Sequence, residues 1–173
     1  MSTAISSANF SESRIERFLR MVSHPLKFSL FMFSKLPSAY IAGVRVRRVQ
    51  RDGATTSVPY KWLSQNPFRS TYFACLAMAA ELSTGLLAML YIQSAPVQVS
   101  MLVTGLQASF HKKAVGRTYF TCDEGIAIRD AIATAIATQQ AVSIVVNSHG
   151  KSEDGTLIAS FAVTWSFKAK SKS

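Results

Sequence analysis

The sequence predicts an α+β fold: a curved antiparallel β-sheet wrapped around a long central α-helix, with an extra helical N-terminus. Three observations carry this. The stretch from Tyr72 to Ile92 is the most apolar of the chain and long enough for about 33 Å of helix. The segments after it alternate with period two. The clearest is the last, where Leu157, Ala159, Phe161, Val163, Trp165 and Phe167 share one face. Hydrophobic residues make up 49% of the 173 and charged residues only 16%, so one domain buries a large core or carries an extensive subunit interface.

The elements follow in order. Ser13-x-x-Glu16 has the pattern of a capping box, which starts a helix near residue 12 with Ile15, Phe18, Leu19 and Val22 as its apolar stripe. His24-Pro25 breaks or kinks that helix, and an apolar second half runs from Leu26 to Leu36-Pro37. Residues 1–37 thus read as a helical extension and 38–173 as the main unit. Val44 and Val46 then alternate with Arg45 and Arg47 as a strand, with a phase slip at Arg47-Arg48 that fits a bulge. Asp52-Gly53 turns the chain into a returning strand that Pro59 either ends or places at an edge.

The long apolar helix spans about 71 to 92. It has the length of a membrane span, yet Glu81, Ser83, Thr84 and Gly85 gather at its midpoint, where polar groups cost most, so a core helix is expected. Beyond it, Val97, Val99, Met101 and Val103 lie on one face of a strand whose phase changes after Gly105, as a glycine bulge would produce. A basic turn, His111 to Gly116, leads to a strand at Arg117–Cys122. Ile128, Ala131, Ile132, Ala135 and Ile136 mark a helix with an acidic start. Two last strands, from Ala141 and from Gly155, flank a polar loop at His149–Gly155. Wrapping by the sheet is the expected way to bury a helix this apolar.

Net charge is +10, which suggests an anionic partner. Cys75 and Cys122 form no CxxC motif and have no ligand-spaced histidine, so neither a disulfide framework nor a metal site is expected, and a reducing cytoplasm fits. The first residues lack the basic-then-apolar order of a signal peptide.

The second half resembles the hotdog acyl-CoA thioesterases of the phenylacetate-pathway type, over roughly residues 38 to 170. In that group a strand ends in a basic turn and a glycine, and a D-G-x-x-x-A hairpin leads into the last strand; Asp154-Gly155 and Ala159 match it. Within the superfamily the chain is most similar to poorly characterised hotdog-like domains of unknown function. The group's motif is a loop Asn, then His-Gly-Gly at the helix start, then an Asp or Glu two turns on. Asn66 and Glu81 match the first and last, and Tyr72-Phe73-Ala74 stands in place of His-Gly-Gly.

The resemblance implies thioester hydrolysis without a cofactor, on an acyl-coenzyme A substrate. Glu81 would be the base or nucleophile. The amides of Phe73 and Ala74 would receive the oxyanion, since a helix start offers free N–H groups and partial positive charge. Asn66 would orient the carbonyl or water, or else form the turn that Asn-Pro favours. Tyr72, Ser83 and Thr84 would face the substrate, and Ser83 and Thr84 could assist Glu81, although Ser and Thr hydroxyls more often bond the preceding helical turn. Arg45, Arg47, Arg48 and Arg51, with His111, Lys112, Lys113 and Arg117, are candidates for the coenzyme A phosphates, the basic turn being the better one. For Glu81 the competing expectation is an ion pair with Arg48 or Arg69, or a hydrogen bond across a dimer interface. The resemblance also implies a homodimer or dimer of dimers, with residues 98 to 113 of a second copy completing the pocket.

Other classes fit less well. A non-catalytic acyl-CoA or lipid binder would use the same pocket. A nucleic-acid binder would need aromatics interleaved with basic residues, and Tyr119 and Phe120 beside Arg117 are too few. An interfacial helix at Phe28 to Phe33 would have only Lys27 and Lys35 as cations.

Overall fold

The computed structural model describes residues 9–170; residues 1–8 of the expected N-terminal extension and 171–173 lie outside the described residues. Helices α1 (Glu12–Ser23), α2 (Pro25–Lys35) and α3 (Pro37–Ala42) come first, then strands β1 (Arg45–Val49) and β2 (Ala54–Val58) and a short 3-10 helix at Trp62–Ser64. The long helix is α4 (Phe73–Ser94). It is followed by β3 (Val99–Phe110), β4 (Thr118–Cys122), α5 (Gly125–Thr138), β5 (Val142–Lys151) and β6 (Leu157–Ala169). The six strands form one antiparallel sheet in the order β1-β2-β4-β5-β6-β3.

Local sequence sets most of these elements. Pro25 and Pro37 open α2 and α3 at positions where a missing N–H costs nothing. Gly43, at φ +87°, ends α3 in the left-handed region. The β1–β2 register shifts between Val46 and Arg48, and the β3–β6 register between Val103 and Gly105, so both expected bulges form. Pro59 follows the last residue of β2, an interior strand, and so ends it instead of marking an edge.

Two expectations fail. The capping box does not form: Ser11 is the N-cap, Ser13 lies inside the first turn, and Glu16 instead pairs with Arg20 one turn on. The polar loop expected at His149–Gly155 is shorter than expected, because β5 continues through His149 to Lys151 and only the turn at Ser152–Gly155 remains. In that turn Asp154 accepts from Ser152 Oγ and, at 3.0 Å, from the Thr156 amide. These bonds hold its carboxyl down to about 2.

The inner face of the sheet carries the core. Along β6, Ala159, Phe161, Val163, Trp165, Phe167 and Ala169 are buried, and Phe120 of β4 and Val146 of β5 extend the layer. The sheet covers one side of α4. The rest of the cover comes from α1, through Ile15, Phe18 and Val22, and from α5, through Ile128, Ile132 and Ala135. The helix is long and apolar enough to cross a membrane, but 67% of its apolar window is buried within the protein. Burying each large apolar side chain contributes about 1.5–3 kcal/mol, so this single interface dominates stability.

Polar residues facing α4 are satisfied. Thr56 donates to the Ala79 carbonyl at 2.6 Å, and Ser83 and Ser148 share a hydrogen bond at 2.8 Å. Burial pushes the Cys75 thiol up and the Cys122 thiol to about 11, so both behave as small apolar groups. Gly150 of β5 lies directly beneath Phe120, whose ring comes within 2.4 Å of where a β-carbon would sit. Gly150→Ala should therefore destabilise the protein by about 1–3 kcal/mol through overpacking. Thermal unfolding checks this, and an unchanged melting temperature would show that Phe120 can move aside.

Candidate active site

The start of α4 and the basic turn meet. Thr71 donates its amide to the Ala114 carbonyl at 2.8 Å, and Lys113 reaches the Phe68 carbonyl at 3.3 Å. Between the two segments lies a cleft of about 700 Å³. Its lining includes Asn66, Phe68, Tyr72, Phe73, Leu76, Phe110, His111, Lys112 and Lys113. Arg117 lines the neighbouring hollow together with Lys112 and Lys113. The sequence-predicted residues Asn66, Tyr72, Phe73, His111, Lys112 and Lys113 are thus brought together.

Helix α4 begins at Phe73 with no side-chain cap from Tyr72, and among the described residues no acceptor takes the amides of Phe73 or Ala74. Two unsatisfied donors and the positive end of the helix therefore face the cleft region. Asn66 is committed to its own loop. Its Oδ1 accepts from the Phe68 amide at 3.0 Å and the Ser70 amide at 3.2 Å, and its Nδ2 lies 3.1 Å from Ser70 Oγ. This side chain holds the loop that forms one cleft wall.

Glu81 sits apart. It is eight residues beyond Phe73, about 12 Å along the helix axis. Its Oε1 lies 3.3 Å from where a β-carbon on Gly85 would be, and the Trp165 ring lies 3.5 Å from the same point. Gly85 thus leaves space for the carboxylate against an indole. Burial there pushes the Glu81 carboxyl above the usual carboxylate range. Among the described residues no cation pairs with it. Arg48 instead bonds the Gln50 side chain, so an ion pair between Arg48 and Glu81 is not formed. Ser83 and Thr84 do not serve Glu81: Ser83 bonds Ala80 and Ser148, and Thr84 donates to the Glu81 carbonyl at 2.8 Å while accepting from Trp165 Nε1 at 2.9 Å.

A half-buried strip runs along α4 from the helix start to Glu81. Ala74, Ala77, Met78 and Glu81, at helical spacing, are the half-buried positions in the first half of α4. Opposite them, Leu106 and Phe110 of the edge strand β3 stand beside the buried Val163 and Ala159, yet are 53% and 52% exposed. Sequence reasoning missed this strip. Its signal was the run of apolar residues in β3 that changes phase at Gly105.

The arginines of β1 do not join the basic turn. They stand on the sheet edge opposite β3 and are engaged locally, Arg45 over the Tyr40 ring and Arg47 with Ser57, while Arg51 in the turn after β1 bonds Glu12 at 3.1 Å. A larger hollow of about 810 Å³ on the outward side of β4 and β5, beside Tyr119, His149 and Lys151, contains neither the helix start nor Glu81.

Comparison with known proteins gives this geometry a context. The family described as a domain of unknown function, DUF4442, matches residues 26–167. No curated protein matches the sequence. A Pseudomonas aeruginosa structure described as a protein of unknown function and "probable thioesterase" superposes with a TM-score of 0.69 at 16% identity, covering 84% of this chain and 97% of that one. A Haemophilus influenzae thioesterase does so at 0.57 and 10% identity, covering 84% and 90%. A mutant thioesterase from Pseudomonas aeruginosa gives 0.63 at 13% identity, covering 88% and 99%. At such identities the likeness shows the fold, which is the hotdog fold.

The position of Glu81 yields a stability test. Its folded-state pKa is raised, so the folded protein holds this proton more tightly than the unfolded chain. Ionisation therefore costs stability, beginning above the ordinary glutamate value and complete above the raised one. Glu81→Gln should melt higher than the parent at pH 8, with the gap closing as pH falls towards about 4. A gap that does not change with pH would mean the carboxylate is solvated.

Proposed function

The chain belongs to the DUF4442 family, and on that footing we propose that it hydrolyses the thioester of an acyl-coenzyme A, with Glu81 as the base that activates water. The observation that carries this reading is a half-buried carboxylate, without a cation partner among the described residues, on a strip of α4 that begins at two free helix-start amides. In the proposed reaction the acyl chain lies along the strip between α4 and β3, and His111, Lys112, Lys113 and Arg117 meet the coenzyme A phosphates. Water gives its proton to Glu81 while its oxygen attacks the carbonyl carbon. The amides of Phe73 and Ala74 hold the oxyanion. As the tetrahedral species collapses the C–S bond breaks, and the proton from Glu81 leaves with the thiol. Tyr72 and Phe73 give the helix start a bulkier lining than His-Gly-Gly would.

The separation along α4 adds a condition. A carboxylate about 12 Å from the helix start cannot serve a carbonyl bound to amides of its own chain. We therefore propose a homodimer in which β3 edges meet and the helix start of one copy faces Glu81 of the other. Exposed Leu102, Leu106 and Phe110 on an unpaired edge support that contact.

Thiol release from a panel of acyl-coenzyme A esters tests the reading. Turnover is expected in the parent, with a loss of roughly 100-fold or more in kcat for Glu81→Gln. Full activity in the variant would remove Glu81 from the chemistry. Binding without turnover in the parent would make the protein an acyl-CoA binder.

A further inference from the structure

The charge is unevenly placed. From Arg17 to Ala80 the chain has ten Lys or Arg and a single acid, Asp52, whereas the rest has nine basic and eight acidic residues. The same span carries the most exposed large apolar side chains: Trp62 at 80%, Leu26 at 76%, Phe68 at 74% and Leu30 at 68%, with Phe33 and Ile41 over half exposed. Helix α2 is apolar on two opposite sides. Phe28 and Met32 enter the core, while Leu26, Leu30 and Phe33, at i, i+4 and i+7, face solvent.

The segments that carry these side chains adjoin one another. Phe33 stacks edge-on against Tyr40 of α3 at 5.5 Å. The Lys61 ammonium reaches the end of α3 at Gly43, which places Trp62 beside it. Ser64, closing that 3-10 helix, accepts the Tyr72 amide at 2.7 Å, which brings in the α4 start and the Phe68 loop. Exposed Lys27, Lys61 and Arg69 lie on the same segments.

We propose that this face docks on an anionic lipid surface, with Leu30, Phe33, Trp62 and Phe68 entering the interface and the surrounding cations meeting lipid headgroups. Aliphatic and aromatic side chains projecting from separate elements, ringed by Lys and Arg with apolar stems, suit the headgroup boundary. A second copy fits poorly, because a two-fold contact would set this cationic face against itself. A nucleic acid would use the charge and leave Leu26, Leu30 and Phe33 unsatisfied. Phe68 also lines the cleft, so an acyl substrate would arrive from the bound membrane; that consequence alone rests on the proposed hydrolysis, and docking is measured without any substrate.

The test uses large unilamellar vesicles of phosphatidylcholine, with or without about 30% phosphatidylglycerol, in sedimentation and tryptophan emission. Trp165 is buried and Trp62 exposed, so a shift reports Trp62. Binding and a blue shift are expected with the anionic vesicles, at least roughly tenfold weaker without phosphatidylglycerol or in high salt. Lys61→Gln should weaken partitioning roughly fivefold, and the exposed pair Leu30→Ser and Phe33→Ser roughly tenfold or more, with a cooperative melting transition retained in each variant. Any of three results would overturn the proposal: no binding to either vesicle, an oligomer that Leu30→Ser and Phe33→Ser dissolve without vesicle binding, or salt-sensitive retention on oligonucleotides alone.

Discussion

A helix that is apolar on every side must be covered on every side, and one sheet offers only one face. Much of the structure answers to that constraint on α4. The inner residues of β6, β5 and β4 take one side, and α1 and α5 take most of the remainder. Hydrophobic contact alone would let such a helix slide or rotate on the sheet, since the effect has no direction. The buried polar contacts remove that freedom. Thr56 to the Ala79 carbonyl, Ser83 to Ser148 and Trp165 to Thr84 each tie a particular turn of α4 to a particular strand. Losing any one would strand a buried donor or acceptor, so together they set the register.

The cover is incomplete along one stripe, and the proposed chemistry is placed there. Ala74, Ala77 and Met78 leave room beside β3, and Glu81 follows on the same stripe. A fully solvated glutamate would be a weak base; a fully enclosed one would stay protonated and out of reach of water. Glu81 lies between these limits, packed toward Gly85 and Trp165 but without a cation to hold it ionised. For the proposed role the absence of a cation partner among the described residues matters as much as the burial. An arginine partner would lower the pKa again and occupy the oxygens that water needs.

Periodicity made the long elements legible, because α4, β3 and β6 each carry an apolar pattern longer than chance supplies. The continuation of β5 was not legible. Ser148 and Gly150 face inward there, but neither is a hydrophobe, and the outward His149 and Lys151 made the segment look like a turn. Gly150 is present because Phe120 fills the space above it, a reason that lies on another strand. The helix starts near residue 12 as expected, but the capping box misled as to its cap, because Ser11 and not Ser13 occupies the N-cap. At the site, Asn66, the helix start and the basic turn were readable from their spacing. That the β1 arginines stand on the far sheet edge, and that Glu81 lies outside the cleft, depends on strand order and helix rise, which no local motif records.

The apolar content of the chain is larger than the core around α4 consumes, and the excess is not scattered. One part forms the strip on β3 and α4; the other covers the outward side of α2 and the segments around Trp62 and Phe68. The two parts differ in their electrostatic setting. The strip borders a single buried carboxylate and an unpaired strand edge, the conditions for contact with a like chain. The outward face lies within the span that holds nine of the ten net positive charges, which opposes self-contact and favours an anionic, apolar-cored partner. Both parts reach the cleft, the strip through Phe110 and the cationic face through Phe68. A ligand with an apolar tail and an anionic head would be complementary to both at that junction, and an acyl thioester of a phosphorylated carrier has that shape.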